Sequence, residues 1–195
     1  MSNVVIHPST IVDEGAILGE GTRIWHFCHI MPGAVIGMNC IIGQNVFIGN
    51  GVMIGNGVKI QNNVSIYNGV LIEDDVFIGP SVVFTNVINP RSFIERKKEF
   101  IETIIGQGAS LGANATIICG VKVGEFGMIG AGSVVTKDIS PFSLVYGNPA
   151  RHKGWVSKEG YPLAFNEIGE AIAAKSNERY ILKSGEVSLH TKIIQ

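Results

Sequence analysis

The sequence predicts an all-β fold, a parallel β-helix of hexapeptide repeats with one extruded loop and a small C-terminal appendage, and three observations carry that prediction. From Val4 to Val87 the chain divides into fourteen blocks of six, and the third residue of every block is apolar, running from Ile6, Val12 and Leu18 to Ile72, Ile78 and Phe84. The first residue is small or β-branched, and the fourth is often glycine, as at Gly37, Gly43, Gly49, Gly55 and Gly79. The period resumes at Thr103 for six more blocks, which end at Asp138. A six-residue period fits neither a helical face nor an alternating strand, so each block supplies one short strand and one turn.

Composition agrees with a chain that turns often and buries an apolar column. It has 25 glycines among 195 residues, 16% charged residues and a formal net charge of −1. No overall field recommends nucleic acid or an anionic membrane as partner. The N-terminus lacks a basic region followed by an apolar stretch, and no apolar run approaches the roughly 20 residues of a membrane helix, so a cytoplasmic location is expected. Cys28 and Cys40 occupy first-position slots otherwise held by Val, Thr or Ala, and Cys119 is far from both. They read as small core residues, and no metal framework is expected.

Three blocks, 18 residues, complete one triangular coil, and successive coils stack at about 4.8 Å. Residues 18 apart therefore lie one above another. One corner stacks His26, Gln44, Asn62 and Pro80; a second stacks Pro32, Asn50, Asn68 and Asn86; a third stacks Met38, Asn56 and Asp74. Beside the second corner runs the column Met31, Gly49, Tyr67 and Thr85. Phe84 and Ile105 are 21 residues apart, not a multiple of six, so residues 88–102 must leave the coil and return. Loops of that length are usually functional, and this one carries Arg91, Arg96, Lys97 and Lys98, with Asn86 at its root. The coil domain is expected over residues 3–140, with 141–195 forming a closing segment and appendage. In the appendage AFNEIGEAIAAK reads as a short helix and RYILKSGEVSLH as two strands around a Ser-Gly turn. Outward second-slot residues such as Val35, Phe47, Met53, Leu71, Phe77 and Val83 form apolar faces, which favour assembly into a cyclic homotrimer with ligand clefts between prisms.

The hexads, the loop and the closing GAGSVVTKDI and GNPAR segments resemble the left-handed β-helix acyltransferases over roughly residues 3–155. IWHF, GQNVFIGN, VKIQNNVSIYNGVLIEDDVFIGPSVVFTNVINPR, IERK, GANATIICG and NPARHKGW resemble more narrowly the UDP-2-acetamido-3-amino-2,3-dideoxyglucuronate N-acetyltransferases of surface-polysaccharide synthesis. That resemblance implies left-handed coiling, a homotrimer, acetyl-CoA as cosubstrate and transfer of acetyl to the 3-amino group of a UDP-linked sugar uronate. It also implies a substrate-contacting Asn at the loop root, and Asn86 is the candidate catalytic residue. For the CoA arm and its phosphates it implies Ala113, Ala131, Lys137 and Arg151.

The remaining candidates come from residue chemistry. Arg91 and Arg96 carry guanidinium forks that match a carboxylate or a diphosphate. His26, Gln44, Asn62 and Tyr67 are candidate contacts to the sugar nucleotide, against an ordinary corner role, while His29 sits in an outward slot beside Phe47 where packing is the more natural role. The sequence offers no Ser, His and Asp set at recognisable spacing, so direct attack by the amine is expected without a covalent acyl-enzyme. Three other readings compete: acetylation of a dTDP-linked 3-amino-3,6-dideoxyhexose, which differs by lacking a carboxylate; a trimeric metal hydratase of the carbonic-anhydrase type; and a non-catalytic scaffold, which would leave the basic loop and the NPAR segment without a purpose. The hydratase requires three converging histidines, whereas His26 and His29 fall on different faces with no third at a matching offset.

Overall fold

The computed structural model describes residues 3–190 and is a parallel β-solenoid of two- to four-residue strands, with no helix among the described residues. Three faces build it. The first runs from Val5–Ile6 through Phe77–Ile78 to Ser143–Tyr146, the second from Ile11–Val12 to Val134–Val135, and the third from Ile17–Leu18 to Lys122–Val123. Within each face the register advances by 18 residues per coil, as in Ile24 against Ile42 and Ile42 against Ile60. The interior is the third-slot column, where Ile30, Ile42, Ile48, Ile60 and Ile66 are fully buried. Each such side chain contributes roughly 1.5–3 kcal/mol relative to exposure.

The other slots explain the remaining regularities. Small first-slot residues fill the inner corners: Thr22 donates its hydroxyl to Gly37 O at 2.8 Å, while the Cys28 and Cys40 thiols donate to Gly43 O and Gly55 O at 2.9 and 3.1 Å. All three cysteines are free and buried, and desolvation pushes the Cys28 and Cys40 thiols up from their ordinary value. Fourth-slot glycine answers to close approach between coils. A Cβ on Gly79 would come within 2.7 Å of the Ala113 main-chain nitrogen in the coil above.

The loop interrupts the path without disturbing the stack. Across it the register jumps by 33 residues, Ile78 against Leu111 and Val70 against Thr103, which is the usual 18 plus the fifteen residues of the loop. Chain leaves from Val83–Phe84 on the second face and re-enters as Thr103–Ile105 on the third. At its root Ile101 N donates to Asn86 O at 3.1 Å, and Thr103 N donates to Gly69 O at 2.8 Å.

After Asp138 the coil continues for part of another turn. Ile139 bridges Val123, and Ser143–Tyr146 pairs in parallel with Met128–Ile129, adding an eighth parallel strand to the first face. A turn containing the cis Asn148–Pro149 peptide then reverses the chain into the antiparallel strand Arg151–Val156. The appendage is a three-stranded antiparallel sheet of Glu170–Ile172, Arg179–Lys183 and Glu186–His190; residues 191–195 of the expected segment lie outside the described residues. The helix expected in AFNEIGEAIAAK is absent. Asn166 accepts on Oδ1 from the Ile168 and Glu170 amides, Gly169 has φ +78°, and Ala171 and Ala173 are buried on either side of exposed Ile172. A turn followed by alternation wins over helix propensity once one side can be covered. Phe142, Ala173, Tyr180 and Val187 form the small core that joins this sheet to the end of the coil.

Candidate functional site at the root of the extruded loop

Strand registers place the candidate residues on two corners. The corner between the first and second faces stacks His26, Gln44, Asn62, Pro80, Ala113 and Ala131, two residues after Ile24, Ile42, Ile60, Ile78, Leu111 and Ile129. The corner between the second and third faces stacks Asn68, Asn86, Cys119 and Lys137. Face two lies between them.

At the second corner the loop folds back over the coil and encloses a cleft of about 480 Å³, whose lining includes Tyr67, Asn86, Pro90, Arg91, Ile94 and Arg96. Four candidate residues from separate stretches of sequence, Tyr67, Asn86, Arg91 and Arg96, thus meet in one place. Turns hold the loop in shape: Ile94 N donates to Arg91 O at 3.1 Å and Glu99 N to Arg96 O at 2.9 Å. Arg91 is exposed and donates from Nη1 to Pro90 O at 3.0 Å, whereas Arg96 is paired with Glu99 at 2.6 Å. One of the two guanidinium groups is therefore already neutralised within the loop. Asn86 is partly buried with its carbonyl committed to Ile101, and Thr85 next to it accepts on Oγ1 from Cys119 N at 2.9 Å. These bonds fix the backbone beneath the Asn86 amide.

His26, Gln44 and Asn62 are not brought to this cleft. His26 lies three coils below the Asn86 coil, on the neighbouring corner, with its ring stacked on His7 at 3.4 Å between centroids. Asn62 accepts on Oδ1 from Gln44 N at 2.9 Å, a bond between coils also made by Asn56 to Met38 N and by Asp74 to Asn56 N. His29, paired with Asp13 at 3.0 Å, sits on face two below Val83, three coils and about 14 Å down the stack from the Asn86 coil.

The model of the bacterial transferase hexapeptide family matches residues 15–50, 51–86 and 102–137, and that of the hexapeptide repeat of succinyl-transferase matches 33–68. The matched segments stop at Asn86 and resume at Glu102, on the two sides of the loop. The chain is a hexapeptide-repeat acyltransferase. It is 51% identical over 183 residues to a dTDP-3-amino-3,6-dideoxy-alpha-D-galactopyranose 3-N-acetyltransferase of Aneurinibacillus thermoaerophilus, covering 94% of this chain and 93% of that protein. Among solved structures it resembles the acetyltransferase domain of PglB from Neisseria gonorrhoeae in complex with acetyl coenzyme A, with 25% identity and TM-score 0.52 over 77% of this chain and 58% of that one. The UDP-N-acetylglucosamine acyltransferase of Bacteroides fragilis shares the fold, with 24% identity and TM-score 0.66 over 79% of this chain and 62% of the other.

The acyltransferase has a second cleft, about 420 Å³, at the C-terminal end of the coil, and Lys137 and Arg151 both line it with Val135, Ala150 and His152. Ala113 and Ala131 lie on the other corner. There the small side chains leave the coil edge open, and the alanine above Ala113 carries no acceptor of the kind that takes the Gln44 amide lower down. Among the described residues no three His, Cys, Asp or Glu side chains are grouped as metal ligands, and no helix is long and apolar enough to cross a membrane. Glu99 was not singled out by sequence reasoning; its signal was the opposite charge three residues after Arg96.

Proposed function

We propose that the enzyme transfers acetyl from acetyl-CoA to the 3-amino group of a nucleotide-linked 3-amino-3,6-dideoxyhexose. The observation that carries this reading is the 51% identity to a dTDP-3-amino-3,6-dideoxygalactose N-acetyltransferase, sustained over 94% of the chain and therefore across the cleft, the loop and the closing segment. That relative acts on a sugar without a carboxylate, so it favours the second of the sequence expectations over the UDP-linked uronate. The pairing of Arg96 with Glu99 points the same way, because it leaves Arg91 as the freer guanidinium in the cleft.

In this reading the sugar amine, neutral when it reacts, attacks the thioester carbonyl. The C–N bond forms, the carbonyl becomes a tetrahedral oxyanion, the C–S bond breaks, and the amine proton passes to the departing sulfur. Asn86 accepts a hydrogen bond from the amine on Oδ1 and holds its lone pair toward the carbonyl carbon. Arg91 meets the diphosphate. Lys137 and Arg151 meet the phosphates of CoA, and the open edge at Ala113 and Ala131 receives its pantetheine arm. The donor edge and the acceptor cleft lie on different corners of one prism. A cyclic homotrimer brings the alanine corner of one protomer to the Asn86 corner of the next, which is the arrangement we favour.

A mass-monitored panel of dTDP- and UDP-linked amino sugars with acetyl-CoA tests the proposal. Acetylation of dTDP-3-amino-3,6-dideoxyhexoses ahead of 3-amino uronates is the expected result. Acetylation of none overturns it.

A further inference from the structure

Face two carries a run of rings that the transfer chemistry leaves unused. Below the cleft, the Tyr67 ring lies 5.8 Å from that of Phe47, and the Phe47 ring lies 5.9 Å from His29 in an edge-on arrangement. His29 in turn is held by Asp13 at 3.0 Å. The coil registers make this a single ladder: His29, Phe47 and Ser65 occupy the same outward slot in successive coils, and Tyr67 follows Ser65 by two residues. Gly49 sits below Tyr67 in its column and Ser65 separates Phe47 from Val83, while Met31 lies below Gly49 beside His29. Tyr67 is 39% exposed and Phe47 half-buried, and Tyr67 is also part of the lining of the Asn86 cleft.

Resting on the proposed acetylation of a nucleotide-linked sugar, we infer that the ladder is the nucleobase subsite: the pyrimidine ring of the substrate packs on Phe47 and Tyr67 while its hexose occupies the cleft at Asn86. From the Asn86 coil down to the Phe47 coil is two coil spacings, about 10 Å, a length comparable to the reach of a nucleotide sugar from its hexose to its base. The Tyr67 and Phe47 rings are inclined by 51°, and the His29–Asp13 pair stiffens the lower end of the ladder, so Phe47 is held in place before the ligand arrives. Stacking on an aromatic ring uses the π-face that every base has and reads little of the base's edge. The subsite therefore binds thymine and uracil nucleotides with similar affinity, and sugar selectivity resides in the cleft above.

Calorimetric titration of the full-length protein with dTDP tests this without any acetyl transfer. Phe47→Ala weakens dTDP by about tenfold or more, the usual loss for one stacked base. Phe47→Tyr restores binding, and Phe47→Leu, which keeps bulk but not the ring, does not. In turnover the Ala variant raises KM for the sugar nucleotide and leaves KM for acetyl-CoA in place. Wild-type affinity for dTDP in Phe47→Ala, equal affinity in Leu and Tyr variants, or no binding of dTDP by the wild type each overturns the subsite. Should dTDP bind in a Phe47-dependent way while no amino sugar is acetylated, the subsite stands and the proposed activity falls.

Discussion

Asn86 shows how one side chain can have both a structural and a chemical reading. Its position continues the Asn50 and Asn68 corner column, where asparagine serves as an ordinary turn residue, as Asn50 does by donating from Nδ2 to Pro32 O at 2.8 Å. What separates Asn86 is the loop: the next coil at its corner presents Cys119, and the chain between has left to roof the cleft. Replacing Asn86 by Ala should lower kcat by about a hundredfold, the scale of losing one well-placed hydrogen bond to the reacting centre, with the thermal melt unchanged. An unaltered kcat in that variant would remove Asn86 from the mechanism.

At the scale of the element, the loop is an insertion that the solenoid tolerates because its fifteen residues begin and end at the same edge of the coil. Joining Val87 directly to Thr103 would restore the 18-residue step between Val70 and its partner above. The shortened protein is expected to keep its far-ultraviolet spectrum and melting behaviour while losing acetyl transfer, since Arg91, Arg96 and the roof of the cleft are gone. Failure of the shortened protein to fold would mean that the loop is part of the folding unit. The appendage gives a different prediction. Tyr180 is fully buried, its hydroxyl receives Lys158 N at 3.0 Å and donates to Glu178 Oε2 at 3.0 Å, and burial pushes its pKa from 10.0 up to about 12. The neutral phenol is favoured in the fold, so its contribution is fully present below pH 10 and is lost between pH 10 and about 12, by up to about 1.4 kcal/mol per pH unit. Chemical unfolding of the wild type and Tyr180→Phe across that window checks it: the wild type should lose stability more steeply.

For the whole molecule, the outward slots are where the proposed association is tested. Face three presents Ile17, Val35, Met53, Leu71 and Ile104 in one apolar stripe, with Ile17 and Met53 more than half exposed in the single chain. Exposed apolar stripes of this length mark contact surfaces. Sedimentation equilibrium is expected to give three times the 20.9 kDa chain mass, and Leu71→Glu to dissociate the assembly with loss of activity. A monomeric wild type with full activity would contradict the composite site.

The coil was legible from residue order alone because a repeat of one short strand and one turn makes only neighbouring contacts, so slot number sets whether a side chain points in or out. The Ile column, the loop and the Asn86 corner followed from counting by six and eighteen. Counting could not say which of the polar corners faces a ligand: His26, Gln44 and Asn62 have the same slot character as Asn86, yet one stacks on His7 and another caps an amide. The loop's return path, which brings Arg91 and Arg96 over Tyr67, depends on turns at Arg91 and Arg96 and on the Ile101 bond to Asn86, all of them contacts outside the repeat. The appendage strand at Glu170–Ile172 likewise required a partner strand to overrule its helical composition. Periodicity sets the frame because its contacts are local and regular; the cleft belongs to tertiary structure because it forms where the chain departs from that regularity and meets itself again.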